Sequence, residues 1–135
     1  MRKINVFFYG LFMDETLLQT KGIPLPNLRV ASVSGFQLRI GTRATLVPAP
    51  AGRVFGLVAS LSHHELERLY AEPSVQTYKP EAVLADLANG ETVTALCFNL
   101  VEPPSSDEHN LDYAAKLRAL AERLNFPSDY VSSIE

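Results

Sequence analysis

Phe7-Phe8-Tyr9-Gly10-Leu11-Phe12-Met13-Asp14-Glu15 carries an apolar strand, a glycine and an acidic helix start in close succession. The apolar run begins at Ile4 and stops at Tyr9, which reads as a buried first strand. Gly10 has no Cβ, so the chain there can turn sharply and come close to a ligand. Asp14 then caps a short helix to about Thr20, with Leu17 and Leu18 facing inward. A turn entering a helix leaves backbone N–H groups pointing outward, an arrangement that suits a carboxylate or phosphate. A buried strand followed by an ordinary turn accounts for the same residues.

Beyond this stretch, Gly22 to Pro26 ends the helix, and short strands follow at Val30–Val33, Phe36–Ile40 and Thr45–Val47. Pro48, Pro50 and Gly52 predict a loop, and Val54–Ala59 a buried strand. Ser62-His63-His64-Glu65 is a capping box that opens a helix with Leu66, Leu69 and Tyr70 on one face, ended by Pro73. Tyr78–Leu87 and Thr92–Leu100 flank Asn89-Gly90, the strongest hairpin signal in the chain. A polar loop at Pro103–Glu108 leads to a helix from about Leu111 to Leu124, striped by Ala114, Leu117, Leu120, Ala121 and Leu124. Pro127 stops it, and Ser128 is expected to cap a short terminal turn. The expected class is α+β: one domain over residues 1–135, a mixed, mostly antiparallel β-barrel flanked by two or three helices.

A chain of 135 residues with 47% hydrophobic and 20% charged content has the composition of a globular protein. A net charge of −3 and the absence of a basic stripe argue against nucleic acid as a partner. Arg2 and Lys3 before an apolar run imitate a leader, but Asn5 and Tyr9 dilute the run and Asp14-Glu15 interrupt it. No stretch is long enough to span a bilayer, and the expected compartment is the cytoplasm. The single cysteine, Cys97, can form no intrachain disulfide and reads as a small buried hydrophobe.

Adjacent His63 and His64 diverge by ~100° on a helix and cannot share a metal from one face, so no metal site is expected. Glu72 stands apart from the other acids because it falls at a helix end, just before Pro73. A carboxylate there faces the negative end of the helix dipole, which raises its pKa and suits acid–base work, although a surface Glu in a connection fits the same spacing. Glu81, on the next strand, is the second acid whose alternation could turn it inward.

Taken in order, these segments resemble the γ-glutamylcyclotransferase-like family. Tyr9-Gly10-Leu11-Phe12 is similar to its Y-G-[ST]-L loop, and Gly52-Arg53-Val54-Phe55-Gly56-Leu57-Val58 to its G-x-V-x-G-x-[VL] strand. Leu61–Leu69 resembles its helix, Tyr78–Gly90 its Y-x-R-x-x-V strand and hairpin, and Leu111–Val131 its C-terminal helix. The resemblance implies an enzyme that releases 5-oxoproline from a γ-glutamyl amine or amino acid, with no metal or cofactor. It implies Glu72 as acid–base, with Tyr9, Gly10, Leu11, Phe12 and Tyr78 binding the substrate. Loss of the chemistry with retention of the cavity, leaving a binding module for a small carboxylate or amine, is the alternative.

Three positions depart from the family pattern. Leu69-Tyr70-Ala71-Glu72-Pro73 stands where L-D-x-x-E is usual, so Glu72 reaches the catalytic position only with one deletion. Leu11 replaces a loop hydroxyl, and Pro80 replaces the arginine of Y-x-R.

Overall fold

The computed structural model describes residues 3–23, 28–71, 75 and 77–135. Glu72 and Pro73, and the Pro24–Pro26 end of the first loop, lie outside the described residues. Strands β1 (Lys3–Phe8), β2 (Arg29–Ile40), β3 (Ala44–Ser62), β4 (Tyr78–Leu87) and β5 (Thr92–Leu100) form one sheet. Helices α1 (Glu15–Thr20), α2 (His63–Leu69), α3 (Leu111–Arg123) and α4 (Ser128–Ser133) accompany it. The class is therefore α+β as expected, with four short helices among the described residues rather than two or three.

The strands lie in the order β1-β3-β2-β4-β5. All neighbours are antiparallel except β5 and β1, which meet at the single parallel pair Val6–Leu96. The pairing of β2 with β4 is also short, limited to Ala31–Leu87 and Ser32–Asp86. Two long hairpins, β2–β3 and β4–β5, thus carry most of the ladder.

The loop expected at Pro48–Gly52 is instead the middle of β3. Pro48 pairs with Phe36 and Arg53 with Ser34, so residues 49–52 all stand opposite Gly35. This bulge takes Pro50 out of the ladder, sparing it a hydrogen bond that a proline cannot donate, and the strand continues past it. Gly35 takes φ +90°, a conformation that other residues adopt at a cost. For the same reason Val30–Val33 and Phe36–Ile40 are one strand, not two.

Local capping signals are realised as side-chain hydrogen bonds. Asp14 Oδ1 accepts from Thr16 N–H at 2.9 Å. Ser62 N–H donates to Glu65 Oε1 at 2.8 Å while Ser62 Oγ accepts from Glu65 N–H at 3.2 Å. The Asn89-Gly90 hairpin closes with Gly90 N–H donating to Leu87 O at 3.0 Å and Gly90 at φ +92°, the three-residue form. Asn110 Oδ1 caps α3 by accepting from Tyr113 N–H at 3.0 Å.

Helix α3 buries Ala114, Leu117, Leu120 and Ala121 in the common hydrophobic core. A fully buried Leu contributes about 1.5–3 kcal/mol relative to an exposed one. The helix ends at Arg123, beside the expected Leu124, and the stop precedes Pro127: Asn125 adopts φ +61°, and Phe126 N–H donates to Ala121 O at 3.1 Å. Pro127, not Ser128, then stands at the start of α4, with no side-chain cap.

Where the two hairpins splay apart, side chains take over from the ladder. Leu100 N–H donates to the buried Thr45 Oγ1 at 2.9 Å, and Leu46 N–H to Asn99 Oδ1 at 3.2 Å. Among the described residues, no helix is long and apolar enough to cross a membrane.

Candidate functional site

Strand β1 delivers Phe7 and Phe8 to one end of the sheet, where Tyr9 and Gly10 lead into a 3-10 turn at Leu11–Met13. This loop floors a cavity of about 330 Å³, at the small end of the range for ligand sites. Tyr9, Gly10, Leu11, Phe12 and Tyr78, the binding residues expected from the sequence, all line it.

Four tyrosines face the cavity from different elements, and three of their hydroxyls are held. Tyr9 donates to Phe98 O at 2.7 Å, and Tyr78 donates to Ala44 O. Tyr113 reaches across from α3, and its hydroxyl accepts from Leu11 N–H at 3.3 Å. Tyr70, at the end of α2, stacks on Phe98 with ring centroids 4.1 Å apart. Phe12 meets Tyr70 edge-on at 5.7 Å and Phe8 edge-on at 6.0 Å. Burial pushes the phenols of Tyr9, Tyr70 and Tyr78 well above their usual range, while Arg43 beside Tyr78 opposes part of the rise. At neutral pH these phenols are neutral hydrogen-bonding groups, not bases.

Gly10 is extended, at φ −112°, so the expected need for unusual backbone freedom is not what fixes this residue. Close approach is. A Cβ at Gly10 would lie 2.4 Å from the Tyr113 hydroxyl. The hydroxyl missing from the loop at Leu11 is thus brought to it by α3. Among the described residues, the amides of Gly10 and Phe12 have no hydrogen-bond acceptor.

Glu72 lies outside the described residues, but Tyr70 and Val75, on either side of it in sequence, both line the cavity. Glu81 does not. It is exposed, accepts from Asn99 Nδ2 at 3.0 Å, and borders a separate hollow together with Pro80. Cys97 is fully buried, and burial pushes its thiol up to about 12, so it is an inert core group as expected. His63 and His64 are exposed, and among the described residues no three His, Cys, Asp or Glu side chains gather as metal ligands.

Sequence reasoning missed Tyr70, Phe98, Tyr113 and Arg43 as cavity residues. Tyr113 had a signal: it extends the stripe of Leu117, Leu120 and Leu124, and a buried phenol needs a partner. Arg43, in the Gly41–Arg43 break between two strands, had none.

A small, aromatic cavity over a strand-to-turn loop, at the end of a mixed sheet carried by two long hairpins, is the class of architecture this chain displays. A profile of the family described as gamma-glutamyl cyclotransferase, AIG2-like, matches residues 6–116, and the chain belongs to that family. Among solved structures it is similar to a gamma-glutamyl cyclotransferase, with a TM-score of 0.79 and 19% identity, covering 99% of this chain and 89% of the other. It is similar to YkqA from Bacillus subtilis, with a TM-score of 0.81 and 21% identity. That match covers 98% of this chain but only 52% of YkqA, so the chain spans about half the length of that relative. A protein from Arabidopsis thaliana is similar at a TM-score of 0.70 and 24% identity, over 93% of this chain and 87% of the other. At these identities the structures show a shared fold. No curated protein sequence matches the chain significantly.

Proposed function

We propose that the protein is a γ-glutamylcyclotransferase-type enzyme, converting a γ-glutamyl amine or amino acid into 5-oxoproline and the free amine. One observation carries this reading: the Tyr9–Phe12 loop, with the amides of Gly10 and Phe12 unpaired among the described residues, shares its cavity with Tyr70 and Val75, which lie two residues before and three residues after Glu72 in sequence.

In the proposed reaction Glu72 takes a proton from the substrate's α-amine. The amine nitrogen attacks the γ-carbonyl carbon and closes the five-membered ring. Loop amides hold the carbonyl oxygen as negative charge builds on it. Glu72 then returns the proton to the leaving nitrogen as the γ-amide bond breaks. The attack is intramolecular, so holding the glutamyl chain in a bent conformation supplies much of the acceleration. The aromatic walls exclude water that would otherwise compete as nucleophile. The curled sheet, read as a β-barrel, serves as the frame, and the chemistry proceeds in the cytoplasm without metal or cofactor.

A second reading is a binding module for a small carboxylate or amine. It is favoured by the absence of any Asp or Glu from the cavity lining among the described residues. A panel of γ-glutamyl compounds assayed for 5-oxoproline release separates the two. Glu72→Gln is expected to lower the rate by about 100-fold or more. An unchanged rate removes Glu72 from the mechanism, and no release from any compound, with ligand binding retained, establishes the binding module.

A further inference from the structure

Among the described residues lining the cavity, Arg43 alone carries a charge. It is half-buried, and its guanidinium donates to Thr77 Oγ1 at 2.7 Å. No carboxylate among the described residues is paired with it. A guanidinium has five N–H donors, so one neutral hydroxyl leaves most of its donor capacity to water or a ligand, and no protein group among the described residues balances its charge.

The turn that carries Arg43 is fixed from both sides. Gly41 N–H donates to Arg43 O at 3.0 Å within the turn. Thr42 N–H donates to Glu108 Oε1 at 3.1 Å, and Thr42 O accepts from Asn110 Nδ2 at 3.2 Å. A Cβ at Gly41 would lie 2.4 Å from Pro104 Cβ, so the 104–110 segment packs directly on the turn. Arg43 is therefore a cation on a built support, beside aromatic walls that cannot solvate it. Partial burial of an unpaired charge is unfavourable, and an anionic ligand offsets that cost. The low dielectric of the walls strengthens the attraction.

We propose that Arg43 anchors the carboxylate of the ligand, so that the cavity selects molecules with a free carboxylate beside a short polar chain. Under the function proposed above, on which only the ligand's identity rests, this group is the α-carboxylate of the γ-glutamyl unit. The loop amides then serve the γ-carbonyl at the other end of the same unit, and Arg43 determines specificity rather than taking part in proton transfer.

The test compares 5-oxoproline with its neutral carboxamide, binding each to the full chain by calorimetry. The native protein is expected to bind the acid about tenfold or more tightly than the carboxamide, as for a charge-assisted hydrogen bond. Arg43→Gln is expected to remove that preference in a chain that still unfolds cooperatively. Arg43→Lys is expected to keep part of it, since it retains charge but not the planar fork. A native protein that fails to bind the acid, or binds both compounds equally, overturns the inference, and that comparison needs no variant. So does a folded Arg43→Gln chain that keeps the preference. Release of 5-oxoproline is scored separately. A protein that prefers the acid but releases none retains the Arg43 anchor and loses the cyclotransferase reading.

Discussion

The Tyr113 hydroxyl accepts a hydrogen bond from Leu11 N–H at 3.3 Å, joining α3 to the loop that follows β1. The same oxygen occupies the space into which a side chain at Gly10 would project. The glycine in the loop and the tyrosine on the helix are therefore one feature, written at two distant places in the chain.

That coupling is measurable. Gly10→Ala is expected to cost about 1–3 kcal/mol by overpacking. Tyr113→Phe is expected to cost about 1 kcal/mol by removing an acceptor. In the double variant the new methyl faces the ring carbon Cζ at 3.8 Å, an ordinary contact. The combined cost in urea denaturation should then fall below the sum of the two single costs. Strict additivity would show that the hydroxyl is not what excludes a side chain at position 10.

Thr45 joins the splayed hairpins by accepting from Leu100 N–H at 2.9 Å, and its side chain is buried. Thr45→Val keeps the shape and leaves that donor without an acceptor, at an expected cost of about 1–3 kcal/mol in equilibrium unfolding. Thr45→Ser, which keeps the hydroxyl, should lose less. Equal losses would assign the effect to packing.

Gly56 sits on β3 beside the end of its neighbour β1, where Phe8 pairs with Leu57, and a Cβ there would lie 2.1 Å from Phe8 O and 2.8 Å from the Phe7 ring. Backbone cannot yield as a flexible side chain does, so Gly56→Ala must part the β1–β3 ladder. A loss of about 3 kcal/mol or more is expected from chemical denaturation. A melting temperature within a degree or two of the native value would contradict the close approach.

Alkaline pH should destabilise the fold. Burial raises the Cys97 thiol from 9.0 to about 12, and it raises the phenols of Tyr9, Tyr70, Tyr78 and Tyr130 as well. Above pH 9 the unfolded chain loses protons that the native chain keeps, so the native state binds more protons and stability falls as pH rises. The contribution of Cys97 is fully present below about pH 9 and is lost progressively toward 12. Denaturation midpoints measured from pH 8 to pH 11 test the sign, and a flat profile would contradict it.

Elements with a local cause were legible in the sequence. Asp14, the Ser62–Glu65 box, Asn89-Gly90 and the α3 stripe each act within a few residues, and each forms as read. Continuity of β3 through Pro48 and Pro50 was not legible, because it depends on Gly35 in the facing strand absorbing the bulge. The Tyr9–Phe12 loop and Tyr78 were legible as cavity residues only through the family resemblance of their motifs. Arg43, Tyr70, Phe98 and Tyr113 were not. They come from a turn, a helix end, a strand and a second helix, and only closure of the sheet brings them to one place.

Asn110 has two bonds whose joint effect extends beyond capping. Its Nδ2 holds Thr42 O at 3.2 Å while its Oδ1 holds Tyr113 N–H at 3.0 Å, and Tyr113 in turn holds Leu11. Opposite rims of the cavity are thereby tied to a single helical turn, like two banks moored to one pier. The gap between them is braced by two side chains as well as by the strands that carry each rim. Sequence drift in the strands can then alter the frame while the brace limits the change in the aperture, so long as Asn110 and Tyr113 keep their hold.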